Sequence, residues 1–113
     1  MNDSNQIILV VTSVGSHSDA ENITDRLLEM RLAACVQIDP KVISHYRWQG
    51  EVKKETECRM TIKSTESRWI ELKQHLEMLH PYDVPEIIKV SVEDCVTDYQ
   101  HWVHSETNPG TKH

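Results

Sequence analysis

At 113 residues the chain predicts one domain over 1–113 with a single core, ordered over about 7–105, and 38% hydrophobic with 27% charged residues is the balance of an ordinary soluble domain. A net charge of −6 weighs against a nucleic-acid partner, because phosphate backbones call for a cationic surface, and no apolar run reaches the ~20 residues of a membrane span. Three widely spaced cysteines (Cys35, Cys58, Cys95), no C-x-x-C and a polar start over residues 1–6 predict a reduced, cytoplasmic protein with buried thiols.

The run Ile7-Ile8-Leu9-Val10-Val11 predicts a buried central strand, ended by Gly15 and Ser16. Ser18 with Glu21 is spaced as a capping box, and Ala20, Ile23, Leu27 and Met30 then recur on one helical face. Residues 34–38 predict a second strand, which Pro40 interrupts at an edge or bulge and residues 42–48 resume. Gln49-Gly50 marks a hairpin turn. On the returning strand Cys58, Met60 and Ile62 face one side, and Glu57, Arg59, Thr61 and Lys63 the other. Ser64-Thr65 is expected to open a second helix, whose stripe Trp69, Leu72, Leu76 and Leu79 repeats the spacing of the first.

His80 precedes Pro81, so that helix should stop there; Pro85 then stands at the start of a strand over 86–92. Residues 97–105 predict a short last helix with Tyr99 and Trp102 on one face, and residues 108–113 a frayed tail. The order strand, helix, strand, strand, helix, strand, with two matching halves, is the split βαβ or ferredoxin-like pattern. It is an α+β fold with a four-stranded antiparallel sheet, two helices on one face and a short C-terminal helix. The other sheet face is left open and carries Glu57, Arg59, Thr61 and Lys63.

The elbow Leu79-His80-Pro81-Tyr82-Asp83-Val84-Pro85-Glu86 reads either as a rigid connection or as a preorganised polar site. His101 and His104 are spaced to share a metal, yet no Cys or carboxylate at ligand spacing accompanies them, so they read as a solvated helix end. Cys58 and Cys35 read as small core residues. Nucleophile elbow, P-loop, H-E-x-x-H and dinucleotide fingerprints are all missing, which argues against an enzyme. Residues 12–16 form a strand-to-helix loop of the kind that can cradle an anion, a weak signal. Tyr46 and Trp48 flank Arg47 at the hairpin and either dock on a partner or fold back on the open face.

Arg31-Leu32-Ala33-Ala34-Cys35, Ser44-His45-Tyr46-Arg47-Trp48-Gln49-Gly50-Glu51 and Leu79-His80-Pro81-Tyr82-Asp83-Val84-Pro85-Glu86-Ile87-Ile88 together resemble the CutA divalent-cation-tolerance family. Ile62-Lys63-Ser64-Thr65 and Tyr99-Gln100-His101-Trp102 fit as well, so the resemblance spans about residues 7–105. It implies a homotrimer whose sheets meet around a threefold axis and whose hairpins pair between subunits, similar to PII-type signalling proteins. Tyr46, Arg47, Trp48, Tyr99 and Trp102 are the residues expected at that interface. It also implies tolerance of copper or other divalent metal ions, with His80 as the metal ligand and Glu57, Lys63, Tyr82 and Glu86 lining an inter-subunit cleft. Some members carry a cysteine where Val11, Thr12 and Ser13 stand here, and a histidine where Leu79 stands. Weak binding of copper(II) or a similar ion is therefore expected rather than a tight soft site. The competing expectations are a PII-like regulator holding a small ligand or partner in the cleft, and an enzyme using His80 as a general base.

Overall fold

The computed structural model describes residues 6–110. Its elements are β1 (Ile7–Val14), α1 (His17–Glu29), β2 (Cys35–Trp48), β3 (Glu51–Thr65), a 3-10 turn over Glu66–Arg68, α2 (Trp69–Leu79), β4 (Ile88–Ser91) and α3 (Thr97–Glu106). The four strands form one sheet in the order β2-β3-β1-β4, every neighbouring pair antiparallel. This is the expected ferredoxin-like architecture.

β1 is central because both of its faces are apolar. Ile8, Val10, Thr12 and Val14 are fully buried, while Leu9, Val11 and Ser13 on the opposite face are half-buried. The buried side meets Ala20, Ile23 and Leu27 of α1, Leu72 and Leu76 of α2, and Cys58, Met60 and Ile62 of β3. The alternation on β3 and the two helical stripes therefore build one core. α3 caps one end of the other face, where Lys63 Nζ stands 5.7 Å from the centre of the Tyr99 ring and Thr107 Oγ1 lies 3.4 Å from Thr65 Oγ1. No helix among the described residues is long and apolar enough to cross a membrane.

Four boundaries differ from expectation. α1 is capped by Ser16, not Ser18: Ser16 is extended, and its Oγ accepts the Asp19 N–H at 3.1 Å, so Ser18 already lies in the first turn. α2 begins at Trp69 rather than at Ser64-Thr65, because those two residues are still paired with Ile8 and Ile7 of β1. The Ser64 hydroxyl, read as a helix start, instead donates to the Leu32 carbonyl at 2.7 Å. β4 is shorter than 86–92, since its pairing with β1 runs only from Ile88 to Ser91. α3 runs one residue further, to Glu106; the tail expected over 108–113 falls partly outside the described residues.

Two turns shape the rest. α1 closes in a Schellman motif, with Leu32 N–H on the Leu27 carbonyl and Arg31 N–H on that of Leu28. Arg31 takes the left-handed position there at φ 55°, and its guanidinium is tied to Glu106. In β2 the register shifts between Asp39 and Val42, around Pro40. Beyond that bulge the chain pairs only with β3, whose register with β1 stops at Cys58. Residues 42–57 thus extend past the sheet as a two-stranded ribbon, closed by Gln49 at φ 50° and Gly50 at φ 82°, the backbone of a type I′ turn.

Candidate functional site

The elbow after α2 organises the site. His80 is extended (φ −74°, ψ 132°), as the residue before a proline should be, and its N–H closes the helix on the Leu76 carbonyl. The residue is 7% exposed. Nδ1 accepts the Tyr82 backbone N–H at 3.2 Å, which fixes the proton on Nε2. Nε2 in turn lies 3.0 Å from both Thr12 Oγ1 and the Ser13 carbonyl. Burial pushes the His80 pKa below its ordinary value, and the Ser13 carbonyl, Asp19 and Glu57 pull it back part of the way. A buried neutral imidazole thus pins the elbow to β1.

Tyr82 carries the link onward. Its ring stands 5.0 Å from that of His80, and its hydroxyl donates to Glu57 Oε2 at 2.7 Å. Burial and then this carboxylate hold the phenol well above its ordinary pKa. A Cβ at residue 15 would come within 3.3 Å of the Tyr82 hydroxyl, so glycine there leaves room for the ring. β1, the elbow and β3 are joined in one line: Thr12 and Ser13, His80, Tyr82, Glu57.

This line borders a groove of about 550 Å³ between the root of the ribbon and the elbow. Ser13, Ser44, His45, Tyr46, Trp48, Glu55, Glu57, Tyr82, Asp83, Val84 and Glu86 line it. Partial burial, followed by a hydrogen bond with Glu55, raises the Tyr46 phenol. Glu86 Oε1 accepts from Ser13 Oγ at 3.4 Å.

Of the residues expected at a cleft, Glu57, Tyr82 and Glu86 come together here, and Lys63 does not. It sits opposite Leu9 and Cys35, over Tyr99, at the far end of β3. Tyr46 and Trp48 line the groove, whereas Arg47 alternates to the other side of the ribbon. Tyr99 and Trp102 pack together on α3 with ring centres 5.6 Å apart, away from the groove. His80, the expected metal ligand, has both ring nitrogens engaged within the chain, so a cation reaching it must displace one of these bonds. Among the described residues no group of three or more His, Cys, Asp or Glu side chains is placed to hold a metal ion, His101 and His104 included.

Sequence reasoning placed Asp83 and Val84 in the elbow and Thr12 and Ser13 in a loop able to cradle an anion, but missed Ser44, His45 and Glu55 as parts of this site. Thr12 had a signal, as the one hydroxyl on the buried face of an otherwise apolar strand. Glu55 had another, since the strand alternation carried back from Glu57 places it on the same face.

The CutA1 divalent ion tolerance protein family matches residues 8–106 of this chain. The divalent-cation tolerance protein CutA of Thermus thermophilus is 39% identical over 99 residues, covering 88% of this chain and 96% of that protein. Its counterpart from Pyrococcus horikoshii is 37% identical over 101 residues, 89% of this chain and 98% of that one. In three dimensions the chain resembles the divalent ion tolerance protein CutA1 of Ehrlichia chaffeensis, with a TM-score of 0.88 at 31% identity, over 91% of this chain and 96% of that chain. It equally resembles the periplasmic divalent cation tolerance protein CutA of Archaeoglobus fulgidus, with a TM-score of 0.87 at 27% identity, over 90% and 99% of the two chains.

Proposed function

Because this chain belongs to the CutA1 divalent ion tolerance family, we propose that it is a divalent-cation tolerance or response protein. It acts as a cytoplasmic homotrimer that touches copper(II) or similar ions weakly and turns over no substrate. The family match over residues 8–106 carries this reading.

Three features support its finer parts. The ribbon exposes paired strands with a free edge, and Trp48 at its tip is 45% exposed, the kind of edge and aromatic that a partner subunit covers. Tyr46, Arg47 and Trp48, with Tyr99 and Trp102, are the proposed interface, and a threefold arrangement closes association at a fixed size. Cys35, Cys58 and Cys95 are all free, which suits a reducing compartment, although only Cys58 is buried in the core and Cys35 and Cys95 are half-buried rather than buried as expected. Weak metal contact is the expectation for a chain whose carboxylates and His45 line one groove without converging as a ligand set.

Sedimentation of the parent and Trp48→Ala at low micromolar concentration tests the assembly: the parent should be trimeric and the variant weaker by about 2 kcal/mol or more per contact. A monomeric parent overturns it. Calorimetric titration of copper(II) should give micromolar or weaker affinity, reduced in His80→Ala; unchanged affinity in the variant removes His80 from the metal contact.

A second reading is favoured by the groove itself. Its volume of about 550 Å³ and its mixed polar and aromatic walls suit a small ligand, as in a PII-like regulator.

A further inference from the structure

We propose that Arg31 is a positioning residue: its guanidinium clasps the C-terminal end of α3 and thereby sets how that helix presents Tyr99 and Trp102 for assembly. The effect on assembly rests on the trimer proposed for this chain; the clasp does not.

The backbone gives the first observation. Arg31 follows the α1 C-cap, Met30, and stands at φ 55°. A Schellman closure favours glycine at this place, because a Cβ makes the left-handed conformation costly. An arginine held there calls for a compensating contact of its side chain. The end of α1 does not need that side chain, since the Met30 and Arg31 carbonyls accept from Arg68 Nη2 and Nε, each at 3.4 Å. Arg31 Nη1 instead reaches 75 residues along the chain, donating to the Glu106 carbonyl at 3.1 Å and to Glu106 Oε2 at 3.4 Å. The Glu106 carbonyl is among the last four of α3, which lack intrahelical donors, and a cation there also faces the negative end of the helix dipole.

The second observation is how lightly α3 is held otherwise. It has 10 residues, and isolated helices shorter than about 12–15 residues are marginal in water. Val103 is its one buried residue, and Val96 at its N-cap supplies no side-chain cap. Further anchors are polar: Thr107 Oγ1 lies 3.4 Å from Thr65 Oγ1, and Lys63 Nζ stands 5.7 Å from the centre of the Tyr99 ring. A helix docked this way depends on each of its few ties.

Helical spacing supplies the third. Tyr99, Trp102 and Glu106 follow at intervals of three and four, so they share one stripe of α3. Fixing Glu106 fixes the rotation of that stripe. The direction of the ring pair follows, its centres 5.6 Å apart and Trp102 left 43% exposed. Arg31 stands at the end of α1, yet through Glu106 it orients the aromatic surface of the last helix.

The test joins amide hydrogen exchange, read by mass spectrometry, with sedimentation of the full chain. The parent, Arg31→Gly and Arg31→Lys are compared at one protomer concentration. Glycine suits the left-handed backbone, so Arg31→Gly removes the clasp without endangering the fold. Exchange over residues 97–106 should quicken about tenfold or more, while β1 and β3 keep their protection. Lysine restores the cation but not the planar fork, and Arg31→Lys should recover part of the protection. The parent should sediment as a trimer, Arg31→Gly should dissociate at higher protomer concentration, and Arg31→Lys should fall between. Unchanged α3 exchange in Arg31→Gly overturns the clasp, as does quickening spread evenly over the sheet. Faster α3 exchange with undiminished association overturns the role in assembly. A monomeric parent overturns the trimer itself, and with it the effect on assembly, while the exchange measurement still decides the clasp.

Discussion

Replacing His80 by alanine removes the acceptor for the Tyr82 N–H and the donor shared by Thr12 Oγ1 and the Ser13 carbonyl. Tyr82 and Ser13 are half-buried and border the groove, so water can reach them. Thr12 is fully buried, and His80 is the only side-chain partner of its hydroxyl among the described residues. An orphaned buried hydroxyl costs about 1–3 kcal/mol, and the emptied ring volume adds a cavity cost, so His80→Ala should destabilise by about 3 kcal/mol. Thr12→Val removes the hydroxyl without changing the shape and leaves the Ser13 carbonyl for Nε2, so it should cost less than about 1 kcal/mol. In the Thr12→Val background no hydroxyl remains to be orphaned, and His80→Ala should then cost about 1–2 kcal/mol less than in the parent. Urea unfolding of the four proteins at one fixed protomer concentration measures the cycle, the fixed concentration being needed because association shifts apparent stability. A His80→Ala protein within about 0.5 kcal/mol of the parent, or strictly additive effects, would refute the reasoning.

The same histidine gives a pH dependence. Its folded pKa lies below the ordinary 6.5, so the unfolded chain binds the proton first. Its contribution is full above about pH 6.5, declines as the pH falls below that, and levels off once the folded form is protonated too. Melting temperatures taken from about pH 7.5 down to about pH 5 should fall in the parent and fall less in His80→Gln; superimposable profiles would count against a buried neutral imidazole. Gln49→Asn should stabilise the hairpin by roughly 0.5 kcal/mol, because asparagine tolerates φ 50° in a type I′ turn better than glutamine, and a thermal melt reads the sign. Pro81→Ala should cost roughly 0.5–1 kcal/mol by freeing the unfolded chain and allowing α2 to run through His80; equal stability with an unchanged elbow would make that proline incidental.

What could be read from the chain was what repeats. Two helical stripes of equal spacing, one alternating strand and a Gln-Gly turn were enough for the architecture, because each is a local consequence of burying one face. The helix starts were misplaced because hydroxyls serve several ends. Ser16 and Ser18 both carry cap chemistry, and only the extended backbone of Ser16 decides between them. Ser64 reads as a helix opening, yet its hydroxyl is committed to the Leu32 carbonyl across the fold. Lys63 shares a strand face with Glu57, but within one protomer six residues of strand separate them by about 20 Å. Glu57, Tyr82 and Glu86 were legible through the elbow motif and the family resemblance. Ser13, His45 and Glu55 were not, because nothing local marks three distant segments as walls of one groove.

The place of β1 in the sheet has a consequence for biosynthesis. Of the four strands of this sheet Ile7–Val14 is made first, yet it lies between β3 and β4 and bonds to neither β2 nor α1 through its backbone. The ribbon can zip from its own turn as soon as residue 65 has emerged, a local and fast event. β1 gains its first neighbour only then, and its second only when Ile88–Ser91 has emerged. Until that moment its apolar residues and one row of its peptide groups are open to any other nascent strand, so translation speed and chaperone access over this interval, rather than the stability of the finished sheet, should govern the yield of folded protein.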